Sequence, residues 1–476
     1  MVNNLECSLS KKCGNCPLGS HTYQETIKIK QDYVNKLFKD ASINKKIDYM
    51  SIAQNNIGYR NKMIIGFKKY NGKILAGFYE ENSHKIIDLD YCPLHTKEQN
   101  KIAQAIKNII IKLRLPIYNE DRKTGLIRFT LIRESFSTKE ILVTIITASE
   151  NFPARSEFVK LLRESSDKIK TIVQNINSRS TSIVLGEKER VLYGPGFIND
   201  ELLDLKFQIT SKSFYQVNPS QTVILYQTVE KLAKLNKNDV LLDAYSGVGT
   251  IGLYLSKKVK QVISVENNRQ AVNAAIANAK VNHISNDTFI LDDATNFITN
   301  VDKKSLKIDV LVMDPPRTGS TIEFLKATIT LSPRQIIYVS CGPDTLVRDL
   351  KYLLRGGYKI NYVHCVDMFC WTNHIETVCL LSKLNTKQHI EVDIHMDELD
   401  LTDAEKKATY GEIKDYVLEH TGLKVSSLYI AQVKQKYGII ERENYNKPKS
   451  EDARQPQCPP DKEKAIKEAL LHFGMI

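Results

Sequence analysis

From Asp239 to Leu384 the chain alternates between short apolar runs and helical segments, and that rhythm leaves few folds open. Val240 to Ala244, Gln261 to Glu266, Thr288 to Leu291, Asp309 to Met313 and Gln335 to Val339 read as strands. Helical segments separate them, Thr250 to Ser256 and an Ala-rich stretch from Arg269 to Val281 among them. Near-continuous apolar strands with intervening helices specify a parallel sheet covered on both faces, so this region is predicted to be α/β and doubly wound. Its last strands, Lys359–Val366 and Ile375–Leu384, have only a short loop between them, which predicts an antiparallel hairpin at one sheet edge.

Ligands of open α/β sheets sit at the carboxyl ends of the strands. The first strand here runs into Asp243-Ala244-Tyr245-Ser246-Gly247-Val248-Gly249-Thr250-Ile251-Gly252, which contains G-x-G-x-x-G, and the second ends at Glu266. A carboxylate at that place can take both hydroxyls of an adenosine ribose, and Asp243 at the mouth of the first strand suits a cofactor with an ammonium group. The loop by itself admits NAD, S-adenosylmethionine or a tight turn with no ligand. The fourth strand exits through Asp314-Pro315-Pro316-Arg317, a φ-fixed loop that hydride transfer does not need and that suits an aromatic base held beside a methyl donor. The fifth ends in Ser340-Cys341-Gly342-Pro343, with a helix predicted to start at Pro343. A helix N-terminus carries about +0.5 of a charge, so the Cys341 thiol is expected to be lowered towards neutrality and made nucleophilic. The bland alternative is a small buried hydrophobe.

Upstream the pattern is α+β. A lysine-rich amphipathic segment reaches Asn44. Met63–Phe67 and Ile74–Tyr79 flank Asn71-Gly72, a hairpin signal. Residues 99–113 and 157–163 read as helices; 127–132, 141–147, 181–186, 191–193 and 207–210 read as strands. Beyond Leu384, Thr402-x-x-Glu405 is a capping box for a helix to His420, Gly422 ends it, and Ser426 or Ser427 opens another to Lys436. With Arg442, Lys447 and Lys449 following, this stretch reads either as a helix-turn-helix or as an ordinary helical hairpin. The expected division is 1–95, 96–210, 211–385 and 386–476.

The 476 residues carry a net charge of +12, which favours polyanionic partners or simple solubility. No apolar run approaches the roughly 18 residues of a membrane span, and the first residues lack a signal-peptide core, so no membrane partner and a cytosolic location are expected. In that compartment the nine cysteines read as ligands, nucleophiles or core residues rather than disulfides. Cys7, Cys13 and Cys16 are closely spaced, and Cys92 precedes Pro93. Four thiolates can hold a [4Fe–4S] cluster or a tetrahedral zinc, and the spacing does not separate them.

These motifs together resemble the S-adenosylmethionine-dependent RNA uridine-C5 methyltransferases, in particular the iron–sulfur type acting on 23S ribosomal RNA. The resemblance rests on Ser213-Phe214-Tyr215-Gln216-Val217-Asn218, the 243–249 loop, Glu266, Asp314–Arg317, Ser340–Pro343 and His374-Ile375-Glu376-Thr377-Val378, in family order over about 210–385. It implies a class I methyltransferase fold, cofactor contacts by Gln216, Tyr245, Glu266 and Asp314, Cys341 as nucleophile and Glu376, on an apolar edge strand, as proton-abstracting base. It favours the iron–sulfur cluster, with Cys7, Cys13, Cys16 and Cys92 as its ligands, in a structural or RNA-positioning role. It implies an RNA substrate and no obligate protein partner. The β-barrel module that some relatives carry before the cysteines is not expected, and the segment from about Thr386 is absent from the minimal enzyme. Open alternatives are a cytosine-C5 methyltransferase using the same thiol addition, a transfer RNA target, and a non-catalytic iron–sulfur RNA-binding protein, against which the Cys341/Glu376 pair stands.

Overall fold

The computed structural model describes residues 1–9, 12–80, 83, 85–179, 183–301, 306–384, 410–437, 458–473 and 475. The chain forms two compact units, Met1–Asn385 and Thr386–Ile476.

The first unit opens with the cysteine-bearing segment and helix α1 (Tyr23–Asp40), started by a reciprocal capping box between Thr22 and Glu25. Strand β1 (Tyr49–Ser51) follows, then β2 (Lys62–Tyr70), β3 (Lys73–Tyr79) and β4 (Ile86–Asp88). Asn71 and Gly72 both take positive φ between β2 and β3, the backbone that a two-residue hairpin turn requires. Helix α2 (Lys97–Lys112) leads to β5 (Ile127–Glu134) and β6 (Ile141–Thr147), and α3 (Arg155–Ser165) to β7 (Ile169–Ile176) and β8 (Lys188–Tyr193). Among the described residues these strands make a seven-stranded sheet in the order β4-β3-β2-β5-β6-β7-β8. One sheet thus draws strands from both sides of residue 95, and the expected boundary at 95/96 cuts through it. The strand expected over 181–186 is absent across its described part, 183–186. Side-chain amides take the backbone groups that a ladder would use: Asn177 Nδ2 donates to the carbonyls of Ile183 and Val184, and Asn175 Oδ1 accepts from Gly186 N.

A ribbon of β9 (Ile198–Leu202) and β10 (Leu205–Ile209) and helix α4 (Pro219–Ala233) precede the alternating region. That region comprises β11 (Val240–Ala244), α5 (Thr250–Ser256), β12 (Gln261–Glu266), α6 (Arg269–Val281), β13 (Asp287–Leu291), α7 (Ala294–Asn300), β14 (Val310–Met313), α8 (Ile322–Leu331), β15 (Gln335–Ser340), α9 (Pro343–Arg355), β16 (Tyr358–Val366) and β17 (Glu376–Lys383). The sheet order is β1-β16-β17-β15-β14-β11-β12-β13, parallel from β15 to β13. The strand order reverses between β11 and β14, the switch point at which such sheets bind ligands. The hairpin of β16 and β17 is antiparallel as expected, but it does not form the edge. Strand β17 lies between β15 and β16, and β1, some 300 residues earlier in sequence, adds in parallel to β16. Glu376 therefore stands on an interior strand.

In the second unit α10 (Tyr410–Thr421), α11 (Ser427–Lys436) and α12 (Pro460–His472) share a core that includes Ile413, Val417, Ile430, Ile466 and Leu470. Gly422 has φ +70° and Ser426 caps α11 through Tyr429 N, so the expected helix-to-helix turn is present. The proposed capping box at Thr402–Glu405 and the basic residues Arg442, Lys447 and Lys449 lie outside the described residues. Sequence reading did not foresee α12, whose apolar stripe covers the other two helices. Among the described residues no helix is long and apolar enough to cross a membrane.

Candidate active site

Register in the large sheet gathers the expected residues. Ala244 pairs with Val265 on one side and Met313 on the other, so Tyr245, Glu266 and Asp314 leave three adjacent strands at one level. The β15–β17 ladder reaches Ser340 opposite Thr377. One antiparallel step further lie Cys341 and Glu376, thiol and carboxylate from chain segments 35 residues apart. Gln216 joins from the segment before α4, where Asn61 Nδ2 donates to its carbonyl at 2.8 Å and Asn61 N to Val217 O at 2.9 Å. Gln216, Tyr245, Glu266, Asp314, Cys341 and Glu376 all line one cavity of about 520 Å³, together with Phe214, Arg317 and Phe369. A larger surface depression of about 750 Å³, bordered by Glu150, Phe152, Arg155 and Arg190, holds none of them.

The cavity floor is set by backbone geometry. Tyr245, Gly247 and Gly249 have positive φ, which turns the loop sharply off β11. Glu266 clamps it, accepting from Gly247 N at 3.0 Å and from Asn268 N at 2.8 Å. The Tyr245 hydroxyl bonds to Ser320 Oγ, which fixes its ring at the cavity wall. Asp243 departs from expectation. It is buried beneath the loop, accepts from Gly252 N at 2.8 Å and does not line the cavity. A Cβ on Gly252 would meet Ser264 Oγ at 2.8 Å and Asp243 Oδ2 at 2.9 Å, so this glycine permits the close approach of α5 to the sheet.

The electrostatics carry a second correction. Burial, followed by the carboxylates of Glu376 and Asp314, pushes the Cys341 thiol up to about 11, opposed by Arg317. The sequence reading expected a thiol lowered by the start of α9. That fractional dipole charge acts on a site where desolvation and two neighbouring carboxyl groups oppose it. Burial raises Asp314 to about 7. Glu376, 3% exposed, is held well above the usual carboxylate range by burial and then by Asp314, with Arg317 opposing. Cys341 and Glu376 share one cation, Arg317, whose backbone carbonyl accepts from Thr345 Oγ1 of α9 at 3.0 Å.

Sequence reading missed the bracing of the loop that delivers Phe369 and Glu376. Lys30 of α1 forms a buried ion pair with Asp367 at 2.5 Å and donates to Phe369 O at 2.9 Å. Tyr23 donates to Asp367 Oδ2, and Tyr59 to Cys370 O at 3.1 Å. A lysine in a lysine-rich amphipathic helix gives no sign that it is the buried one.

Cys7, Cys13, Cys16 and Cys92 border one small cavity of about 20 Å³, walled by Phe78, Leu89 and Pro93. Burial raises Cys16 to about 12 and Cys92 to about 11, and the other thiols contribute to both shifts. Asn100 fixes Cys92 through its backbone, accepting from Cys92 N and donating to Cys92 O. Yet among the described residues no three Cys, His, Asp or Glu side chains are set as a formed metal site. The thiols share a cavity without being drawn into ligand geometry.

The family model for tRNA (uracil-5-)-methyltransferases matches residues 22–384, which takes in Cys92 and the whole cavity but not Cys7, Cys13, Cys16 or the second unit. RNA methyltransferases of Clostridium tetani and Clostridium acetobutylicum are 37% and 39% identical to the chain over 383 and 386 residues, 80% of this chain and 83% of each relative. The crystal structure of the Pyrococcus abyssi tRNA (uracil-54, C5)-methyltransferase in complex with S-adenosyl-L-homocysteine is 27% identical and superposes with a TM-score of 0.65, covering 77% of this chain and 85% of that one. With a doubly wound methyltransferase sheet and a cavity at its switch point, the chain belongs to the S-adenosylmethionine-dependent RNA (uracil-C5)-methyltransferase family.

Proposed function

We propose that the protein transfers a methyl group to C5 of a uridine in structured RNA, 23S ribosomal RNA in particular, through a covalent bond between Cys341 and C6 of the base. The carrying observation is the placement of Cys341 and Glu376 opposite each other, one step beyond the Ser340–Thr377 pair, on the wall of a cavity that also presents Asp314, Tyr245, Glu266 and Gln216.

S-adenosylmethionine supplies an electrophilic methyl on a sulfonium. The residues fit it. Both Glu266 oxygens are oriented by backbone N–H groups at the cavity wall, as a ribose diol needs. Tyr245 offers a fixed aromatic face, and Asp314 is a half-buried carboxylate without an ion-pair partner among the described residues. Uracil C5 is too weak a nucleophile to take the methyl unaided. Addition of the Cys341 thiolate at C6 would push the ring electrons to O4 and C5, and C5 would then take the methyl as its bond to the sulfonium sulfur breaks, leaving S-adenosylhomocysteine. Glu376 removes the remaining C5 hydrogen as a proton, the ring electrons return, and the C6–S bond breaks to free Cys341. Arg317 offsets negative charge on both groups. A cytosine-C5 enzyme would need groups that accept from the cytosine N4 amine, and product analysis separates the two bases.

The four N-terminal cysteines fit a [4Fe–4S] cluster as ligands: four thiols around one apolar cavity, with the Arg60 cation near enough to act on Cys16 and Cys92. A cluster would supply rigidity or RNA positioning there, since methyl transfer moves no net electrons. Iron and sulfide in the purified protein, lost on Cys16→Ser, support this assignment; zinc alone rejects it.

Transfer RNA is the second reading, favoured by the likeness to the Pyrococcus abyssi enzyme. Mapping 5-methyluridine in ribosomal and transfer RNA from cells with and without this protein decides between them. Loss confined to 23S RNA supports the proposal, and loss confined to transfer RNA overturns that part of it.

A further inference from the structure

Three cations, Arg60, Lys62 and Arg133, lie together beside the cavity. Lys62 and Arg133 are cross-strand partners in the β2–β5 ladder, so their side chains share a face. Arg60 lies two residues before Lys62, in a bridge to His95. Among the described residues none of the three is in an ion pair. Arg133 is 2% exposed, and although Nη2 donates to Ser213 O at 2.8 Å, its Nε and Nη1 have no hydrogen-bond partner. A buried guanidinium with two idle donors is costly unless a ligand meets them.

The surrounding groups do not supply the missing charge. No carboxylate is among the groups that act on Lys62 or Arg133. Lys62 falls to about 8 through burial and the two arginines. Like charges are being held together at a cost that an anion would remove.

The three cations connect to the reaction cavity through hydrogen bonds from Arg133 and Asn61. Ser213, which Arg133 holds, lines that cavity. Asn61, between Arg60 and Lys62, holds the backbone of Gln216, which lines it too. We infer that Arg60, Lys62 and Arg133 form a seat for a backbone phosphate of the RNA strand that carries the target base. Forked arginine donors and a lysine suit a phosphodiester, and the cavity wall they support is the one a base must enter beside. This inference rests on the RNA reading above and adds where the backbone is gripped.

Lys62, half-buried rather than enclosed, is the position to test. Binding of the full-length protein to bulk bacterial ribosomal RNA and to bulk transfer RNA is measured against salt concentration, for the parent, Lys62→Gln and Lys62→Arg. S-adenosylmethionine affinity without RNA reports folding. Loss of one phosphate contact is expected to weaken RNA binding about tenfold. It should also flatten the slope of log K on log salt by about 0.7 to 0.9. Lys62→Arg should restore both, with donor affinity equal in all three proteins. An unchanged slope in Lys62→Gln overturns the phosphate seat while leaving the methyltransferase reading intact. A lower iron content with an unchanged slope also overturns it, assigning the three cations to the cysteines. A parent that binds neither RNA fails the underlying reading instead.

Discussion

Cys341 illustrates how a residue's chemistry depends on its neighbours more than on its local motif. With its thiol pushed up to about 11, Cys341 is held mainly as the thiol near neutral pH. A second cation placed beside Asp314 would weaken the two carboxylates that hold the thiol up, so donor binding and thiol activation should be coupled. Alkylation of Cys341 by iodoacetamide, followed by peptide mass analysis, should accelerate at least several-fold with S-adenosylmethionine and not with the uncharged-sulfur product S-adenosylhomocysteine. Equal rates would remove the coupling. Cys341→Ala should lower methyl transfer by more than about a thousandfold while RNA binding stays near the parent's, as measured by turnover and filter binding. Glu376→Gln should instead accumulate a protein–RNA adduct that survives denaturant, because addition and methyl transfer proceed and only elimination stalls; normal release would reject Glu376 as base. At this scale the sequence was informative about which residues meet, since motifs at strand ends become neighbours once the strands align. It was poor on charge state, because Glu376 and Asp314 reach Cys341 through space, and it placed Asp243 at a cavity that the side chain does not line.

Among the elements, the parallel strands were readable because burial on both faces leaves an apolar run with sharp ends, as at Val310–Met313. The hairpin of β16 and β17 was readable as a hairpin but not in its place. The three-residue strand β1 that caps the edge is too short and too polar to announce itself, and its partner lies more than 300 residues away. The same distance hides Lys30 and Asp367, which fasten α1 to the loop before β17. Removing one partner of a buried ion pair leaves a bare charge and costs about 3–5 kcal/mol. Lys30→Met should therefore lower the melting temperature by several degrees. It should also reduce methyl transfer while leaving S-adenosylmethionine affinity nearly unchanged, because the loop carries Phe369 and Glu376 but not Glu266 or Tyr245. A stable variant with full turnover would show that the brace does not position the loop.

At the scale of the whole molecule, several raised carboxylates lie on or beside the large sheet, and their titration should be visible in stability. Asp314 and Asp287 each stand at about 7, and Asp243 and Glu376 are raised as well. A carboxylate whose folded pKa exceeds its unfolded value of about 4 binds more protons when folded, so stability falls as pH rises between those values. The protein alone should thus lose thermal stability from about pH 5 to pH 7.5, and Asp314→Asn should lose less over the same window; an equal or steeper loss would contradict the raised Asp314. The cationic methyl donor should restore more stability at pH 7.5 than at pH 5. The family match ends at residue 384 and the second unit has its own core, so a chain cut after Asn385 should still fold and bind the donor. Sequence reading separated that unit but missed α12, whose apolar positions fall beyond a long polar stretch. The account as a whole turns on the bond between Cys341 and the pyrimidine, and 5-fluorouridine in the target RNA tests it, because fluorine at C5 blocks the final proton removal. With S-adenosylmethionine present, the account predicts a denaturant-stable conjugate whose attachment maps to Cys341 and which Cys341→Ala does not form. Substituted RNA that is bound and methylated without a trapped conjugate, or a conjugate mapped to another residue, would contradict it.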